Sequence, residues 1–319
     1  MNNIKIFALG GAATKMLRTI NLPCVHIDTS TSEKSFLGEN RDLRVINTGH
    51  SGGSGGSRGT NVDAIMAQTP VIVDEESKDI NIVVFSSSGG SGSTIAHSVV
   101  SSLIEAGKSV ICFVSYNPDD LNRASNTVKT LIGLDNLSRD KGVTLPLFPY
   151  MASSKGFSEG DKQLTSDLMS IFGCYSEDVV SVDFMDRVHS LNPSLMPEYD
   201  GNGILIGEVF YGYNWKGEGT PISCLTLAED GESDNIGTGA PFIFSGILPD
   251  GIKSKDDDSK PSISVIYKGS VLPSVISKCN DLIAKYKRSS SIKMASVEED
   301  KMRVDSSISS TAKSNGFVI

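Results

Sequence analysis

The sequence predicts an α/β protein built on a parallel sheet, and three observations carry that expectation. Short apolar runs alternate with amphipathic helical segments through the first half of the chain. Polar, glycine-rich segments follow several of those runs directly. The 319 residues, 39% of them hydrophobic, are material for about two domains and a sizeable core. Short apolar strands alternating with helices belong to a sheet covered on both faces. Ligands of such sheets sit beyond the carboxyl ends of the strands.

In chain order, Ile4–Leu9 is the first strand, followed by Gly10-Gly11 and a helix ending near Asn21. Cys24–Ile27 is the second strand and ends at Asp28. Ile80–Phe85 is the third, followed by Ser86–Thr94 and a helix in which Ile95, Val99 and Leu103 recur every four residues, closed by Gly107. Val110–Val114 and Val143–Phe148 are the next strands. Ser158 is a candidate N-cap for a helix whose apolar face is Leu164, Leu168, Ile171 and Phe172, with Gly173 as its stop. Strand-like runs follow at Gly203–Tyr211, Ile222–Leu227, Phe242–Ile247 and Ser262–Tyr267, then a helix over Leu272–Lys287. The Asp/Lys-rich stretch 248–261 reads as an exposed loop. From Ser289 onward the Ser, Lys and Glu content predicts a loosely ordered tail.

Composition narrows the function. Against 29 Lys and Arg stand 38 Asp and Glu, a net charge of −9, which argues against binding nucleic acid through bulk electrostatics. No apolar run approaches the ~18 residues of a membrane span. Five scattered cysteines without C-x-x-C spacing suit a reducing cytoplasm and offer no zinc site, and the four histidines show no ligand spacing. Trp215, with Tyr211 and Tyr213, reads as packing or interface.

Two glycine-rich segments carry the chemistry. Gly49–Gly59 holds six Gly and three Ser in eleven residues, a composition that by itself reads as a flexible linker. Ser86–Thr94 lies between a buried strand and a helix start, where glycine lets backbone N–H groups converge on a phosphate and the helix dipole adds to them. Neither G-x-x-x-x-G-K-[ST] nor, after the first strand, G-x-G-x-x-G occurs. Asp28 stands where a Rossmann acid binds ribose, which keeps an NAD(P)-dependent oxidoreductase as the alternative reading. Asp183 and Asp186, three apart, share one face of a helix beginning there. On spacing alone they are an N-cap and a first-turn dipole partner.

Ser88-Gly89-Gly90-Ser91-Gly92-Ser93 resembles the tubulin/FtsZ signature [SAG]-G-G-T-G-[SA]-G, with Ser91 for the Thr and Thr94 for the last Gly. Other segments follow the family's order. Gly10-Gly11-Ala12-Ala13-Thr14 is similar to its first phosphate loop and Asp28-Thr29 to its second. Gly49–Asn61, with Gly55 and Gly56, is similar to the third, which senses the γ-phosphate. Asp119 and Arg123 fall where the fifth loop places an acid and an Arg near ribose and phosphates. Phe157 and Asp161 fall where the central helix presents a ring and a carboxylate to guanine. Ser181-Val182-Asp183-Phe184-Met185-Asp186 resembles the synergy loop N-x-D-x-x-D. The chain looks most like the divergent bacteriophage-encoded tubulins.

The resemblance implies a GTPase using GTP/GDP and Mg²⁺, and a chain that assembles with itself head-to-tail into filaments that position phage DNA in the host cytoplasm. It implies hydrolysis completed by Asp183 and Asp186 of the next subunit, and a C-terminal tail touching the adjacent subunit. The corresponding organisation is a GTP-binding domain over 1–157, a central helix and linker over 158–180, a smaller α/β domain over 181–288 and a tail over 289–319.

Overall fold

Strands buried on both faces must lie inside a covered sheet, and the first strands are of that kind. The computed structural model describes residues 3–18, 20–37, 42–49, 53–152, 158–176, 182–229, 236–248, 262–269 and 274–288. Strands β1 (Ile4–Leu9), β2 (Cys24–Asp28), β3 (Leu43–Val45), β4 (Ile80–Ser86), β5 (Ser109–Tyr116), β6 (Thr144–Met151) and β7 (Gly203–Tyr211) run parallel in the order β3-β2-β1-β4-β5-β6-β7. The strands of the second half extend this same sheet. Beside β7 lies the antiparallel β10 (Ser262–Lys268), then β8 (Pro221–Ala228) and the edge strand β9 (Phe242–Ile247).

Alternate residues of β1 supply two cores. Ile4, Ile6 and Ala8 pack with α1 (Gly10–Leu17), α5 (Glu159–Tyr175) and α6 (Phe184–Leu191) on one face. Phe7 and Leu9 pack with α2 (Val62–Glu76), α3 (Ser91–Glu105) and α4 (Leu121–Asp140) on the other. A last helix, α7 (residues 274–288), adds Val275 to that second core. Among the described residues no helix is long and apolar enough to cross a membrane.

The strand succession reverses between β1 and β4, which are neighbours. Chain leaving their carboxyl ends therefore diverges and leaves a crevice between them. From that end α5 runs back along the sheet. Ser158 caps it, its Oγ accepting from Asp161 N at 3.3 Å while Asp161 Oδ2 accepts from Ser158 N at 2.9 Å. The expected stop at Gly173 is overrun by two residues, because Cys174 and Tyr175 are buried and pull the last turn into the core. Tyr175 Oη pairs with Tyr267 Oη at 2.8 Å and with Ser190 Oγ at 3.0 Å. The helix after β1 is shorter than expected, ending at Leu17. Seventeen residues of α5 span about 26 Å.

The structure then turns into α6, whose Arg187 Nη1 donates to the Tyr175 carbonyl at 3.2 Å. At the far end of α6, Asn192 Oδ1 accepts from Thr144 Oγ1 at 2.7 Å, at the first residue of β6. So α5 begins at the carboxyl end of the sheet, and α6 is fixed at its amino end.

Midway along α5, Asp167 is buried, its Oδ2 accepting from Tyr150 Oη and its Oδ1 from Gln163 Nε2, both at 2.8 Å. Burial raises its pKa above the usual aspartate value; these two bonds offset part of that, and nearby Glu208 adds to it. A carboxyl that holds its proton more tightly folded than unfolded makes the fold lose stability as pH rises from the unfolded pKa through the folded one. Urea unfolding across that window should show this loss in the wild type. Asp167→Asn, which keeps the shape and an acceptor for Tyr150, should flatten it. An unchanged pH slope in the variant would mean that Asp167 is not its source.

Candidate functional site

The crevice at the β1/β4 reversal is a cleft of about 530 Å³, a size suited to a small-molecule ligand. Its walls are four loops: Leu9–Ala12 after β1, Asp28 with Ser30 and Ser32 after β2, Gly53–Gly56 before α2, and Ser86–Gly92 after β4. Asp120, Asn122 and Arg123, at the start of α4, close the fifth side.

Glycine is required where these loops meet. Gly10 has φ +75°, and a Cβ there would lie 2.8 Å from Gly92 Cα. A Cβ on Gly92 would lie 2.8 Å from the Leu9 carbonyl oxygen. A Cβ on Gly90 would fall 2.8 Å from both Gly56 C and Ser57 N. No side chain fits between these backbones, so the loops meet backbone to backbone at the cleft.

A hydroxyl cluster locks the same loops. Ser91 Oγ lies 2.8 Å from Thr29 Oγ1, donates to Ser54 Oγ at 3.0 Å and accepts from Ser54 N at 3.3 Å. Ser88 Oγ accepts from Asn117 N at 2.6 Å and lies 3.0 Å from Thr127 Oγ1. Asn126 Nδ2 donates to Gly56 O at 3.0 Å and Ser88 O at 3.2 Å. Arg58 turns away from the cleft to donate to Asn126 O at 3.3 Å and to Thr130 Oγ1, and burial pushes its guanidinium below the usual range.

Helix ends complete the electrostatics. Asp120, Ser158 and Asp183 cap α4, α5 and α6. The starts of α1, α2 and α3 have no side-chain cap, and of these α1 and α3 open on the cleft. Uncapped N–H groups and the dipole behind them suit an anion, at about 0.3–1 kcal/mol per charge at a surface. Among the described residues, Arg123 is the one cation on the cleft wall, and its Nε lies 3.2 Å from Asp120 Oδ2. Asp28 is the second wall carboxylate and is almost buried, its Oδ1 accepting from Thr29 N at 2.7 Å. No cluster of three His, Cys, Asp or Glu fit to hold a metal by itself occurs among the described residues.

The residues singled out in the sequence fall as follows. Gly10, Gly11, Ala12, Asp28, Gly55, Gly56, Ser88, Gly89, Gly90, Ser91, Gly92 and Arg123 line the cleft. Ala13 and Thr14 lie buried behind it, with Thr14 Oγ1 3.3 Å from His26 Nδ1. Ser93 also turns inward, donating to Gly89 O at 2.6 Å. Asp120 rather than Asp119 faces the cleft. Phe157, Ser181 and the tail from 289 lie outside the described residues. Asp161 sits in the first turn of α5. Asp183 and Asp186 are not brought to the cleft: they stand at the start of α6, Asp183 Oδ1 accepting from Asp186 N at 2.9 Å. Sequence reasoning missed Ser54, Asn122 and Asn126, which no periodicity or motif marks.

No family model matches the chain. It is 29% identical over 198 residues to a phage tubulin-like protein of Pseudomonas phage PhiPA3, covering 59% of this chain and 60% of that protein. It is 30% identical over 141 residues to a phage tubulin-like protein of Pseudomonas phage phiKZ, covering 42% of each. The chain thus matches less than two thirds of the length of these relatives. Solved structures share the fold over most of its length. A protofilament of TubZ from bacteriophage PhiKZ superposes with a TM-score of 0.77 at 21% identity, covering 91% of this chain and 93% of that one. The phage tubulin PhuZ with GDP gives 0.74 at 16%, covering 91% and 92%. An FtsZ dimer from M. jannaschii gives 0.63 at 14%, covering 84% and 88%. In sequence the chain is thus similar to phage tubulin-like proteins over part of its length, and it shares the fold of the tubulin/FtsZ structures over most of it.

Proposed function

We propose that this protein is a GTPase that assembles head-to-tail into filaments and completes GTP hydrolysis at the contact between subunits. The observation that carries the reading is the separation of two half-sites. The glycine cleft opens at the carboxyl end of the sheet, and Asp183 and Asp186 stand at the amino end, the length of α5 away. Within one subunit they do not meet. Stacking one copy on the next brings the acids of one to the cleft of the other, and such a heterologous contact generates an open filament when its rotation does not close.

In this reading the N–H groups of Gly89–Gly92 and of the α1 start hold the phosphates, with Arg123 as the cation beside them. Asp161 Oδ2 is engaged by Ser158, which leaves Oδ1 for the N1–H and N2–H donors of guanine, a pair that adenine does not present. A bound Mg²⁺ would supply neutralisation of phosphate charge. Asp28 and the Ser91 hydroxyl on the cleft wall, backed by Thr29, would be the oxygen donors to hold it, a set that suits a cation keeping several waters and phosphate oxygens. Phosphoryl transfer then needs an aligned, polarised water, the task assigned to Asp183 and Asp186 of the adjoining subunit. The relatives support the reading, since one phage tubulin was solved with GDP and another as a protofilament. The roles in positioning phage DNA in the host cytoplasm, and of the tail from 289 as a second contact with the adjacent subunit, are carried by the resemblance.

Both this reading and an oxidoreductase place a ligand at the reversal of strand order. The glycine cradle after β4 favours the first, because a dinucleotide fold concentrates its glycines after β1.

GTP turnover per subunit should rise with protein concentration and track light scattering. A specific activity independent of concentration would remove the intersubunit site. Asp183→Ala and Asp186→Ala should keep GTP affinity and assembly while slowing phosphate release per polymerised subunit by about 10²-fold or more. A wild-type rate in either variant excludes that residue from catalysis. Asp161→Ala should erase discrimination between GTP and ATP and, through the lost capping-box bonds to Ser158, also lower the unfolding midpoint; a wild type binding both nucleotides equally would refute the guanine assignment.

A further inference from the structure

Helix α7 lies on the body of the protein. Val275 and Cys279 are buried, Ile276 packs on the core formed with Leu145 and Ile206, and Cys279 lies beside Tyr116 at the end of β5. Seven residues on from Cys279, nearly two full turns and about 10 Å along the same helix face, comes Tyr286. Its Oη donates to the carbonyl of Asp119, in the connection between β5 and α4. That connection is also a wall of the cleft. Asp119 N donates to Asn117 Oδ1 at 2.9 Å, and Asn117 N donates to Ser88 Oγ at 2.6 Å, inside the glycine loop. The next residue, Asp120, caps α4 and faces the cleft with Arg123.

From these contacts we infer that Tyr286 is a positioning residue that couples α7 to the nucleotide cleft through the Asn117–Asp120 connection. The inference rests on the nucleotide reading of the cleft. One end of α7 is anchored in the core, and the Tyr286 end meets that connection. A ligand that orders Asp120, Arg123 and the Ser88 loop favours the carbonyl position that Tyr286 bonds, and the bond in turn favours the ligand-competent loop. The coupling is reciprocal: whatever factor Tyr286 adds to nucleotide affinity, bound nucleotide must add to docking of the last turn of α7.

Tyr286→Phe removes the hydroxyl and keeps the ring, so α7 stays docked through its buried residues. In the full chain, below its assembly concentration, titration with fluorescent GDP should show affinity weakened about three- to tenfold, the range of one hydrogen bond. Hydrogen exchange supplies the readout that a merely structural role would not move. GDP should slow exchange of amides 283–288 in the wild type, and this protection should be lost in Tyr286→Phe while protection of α3 amides persists. A variant that binds GDP as the wild type does, or wild-type α7 amides indifferent to GDP, overturns the coupling alone. A wild type that binds no guanine nucleotide overturns the nucleotide reading of the cleft and the coupling with it.

Discussion

The contact between Gly10 and Gly92 is the constraint on which the site depends. Backbone meets backbone there, with a Cβ at either position falling 2.8 Å from an atom of the other loop. This closeness brings the starts of α1 and α3 side by side at the point where strand order reverses. Two uncapped helix ends then face one space. Gly90 repeats the device against Gly56 and Ser57, and Ser91 fastens the assembled loops through Thr29 and Ser54. Glycine at these few positions is therefore a matter of room. The same segments elsewhere in a fold would be ordinary flexible chain.

Legibility in the sequence followed the physical cause of each element. Buried parallel strands are apolar throughout, so β1, β4 and β5 were visible to within a few residues. Ser158 announced α5 because a capping side chain is a local signal. Helix α4 has a cap as well, Asp120, but its buried face is less plainly apolar. Its buried face mixes Ala124, Leu131 and Leu134 with Asn126, Thr127 and Thr130, polar residues that bond the serine loop and Arg58, so its apolar period is diluted. Helix α2 buries only Ile65, Thr69 and Val73 and contains Pro70, which hides it equally well. Gly173 misled because a helix stop is a weak local preference, and the burial of Tyr175 outweighed it.

At the site, the loops were legible and the direction of single side chains was not. The family resemblance placed an acid between β5 and α4, but the N-cap chooses which one faces the cleft. Asp120 Oδ1 accepts from Arg123 N at 2.8 Å, and that fixes Asp120 on the wall and turns Asp119 aside. Thr14 and Ser93 have hydroxyls that the family resemblance assigns to the ligand, and both are spent inside the protein on His26 and on Gly89.

Charge gives the proposed contact its character. The chain carries a net charge of −9, and the cleft wall offers Arg123 as its one described cation, already beside Asp120. Side-chain cations therefore contribute little toward neutralising a triphosphate. In the proposed reading that work would fall to N–H dipoles, and to a divalent ion arriving with the nucleotide. Bringing two further carboxylates, Asp183 and Asp186, against such a cleft adds repulsion, largest where water is excluded. The approach is tolerable only while the phosphates are fully charge-compensated, which ties the acid pair to a filled, metal-loaded cleft. Loss of phosphate and of its counter-ion would leave those carboxylates facing Asp28 and Asp120 across the proposed contact. The acids that would polarise the attacking water would then weaken the contact once the reaction is over, so assembly and hydrolysis draw on the same electrostatic balance.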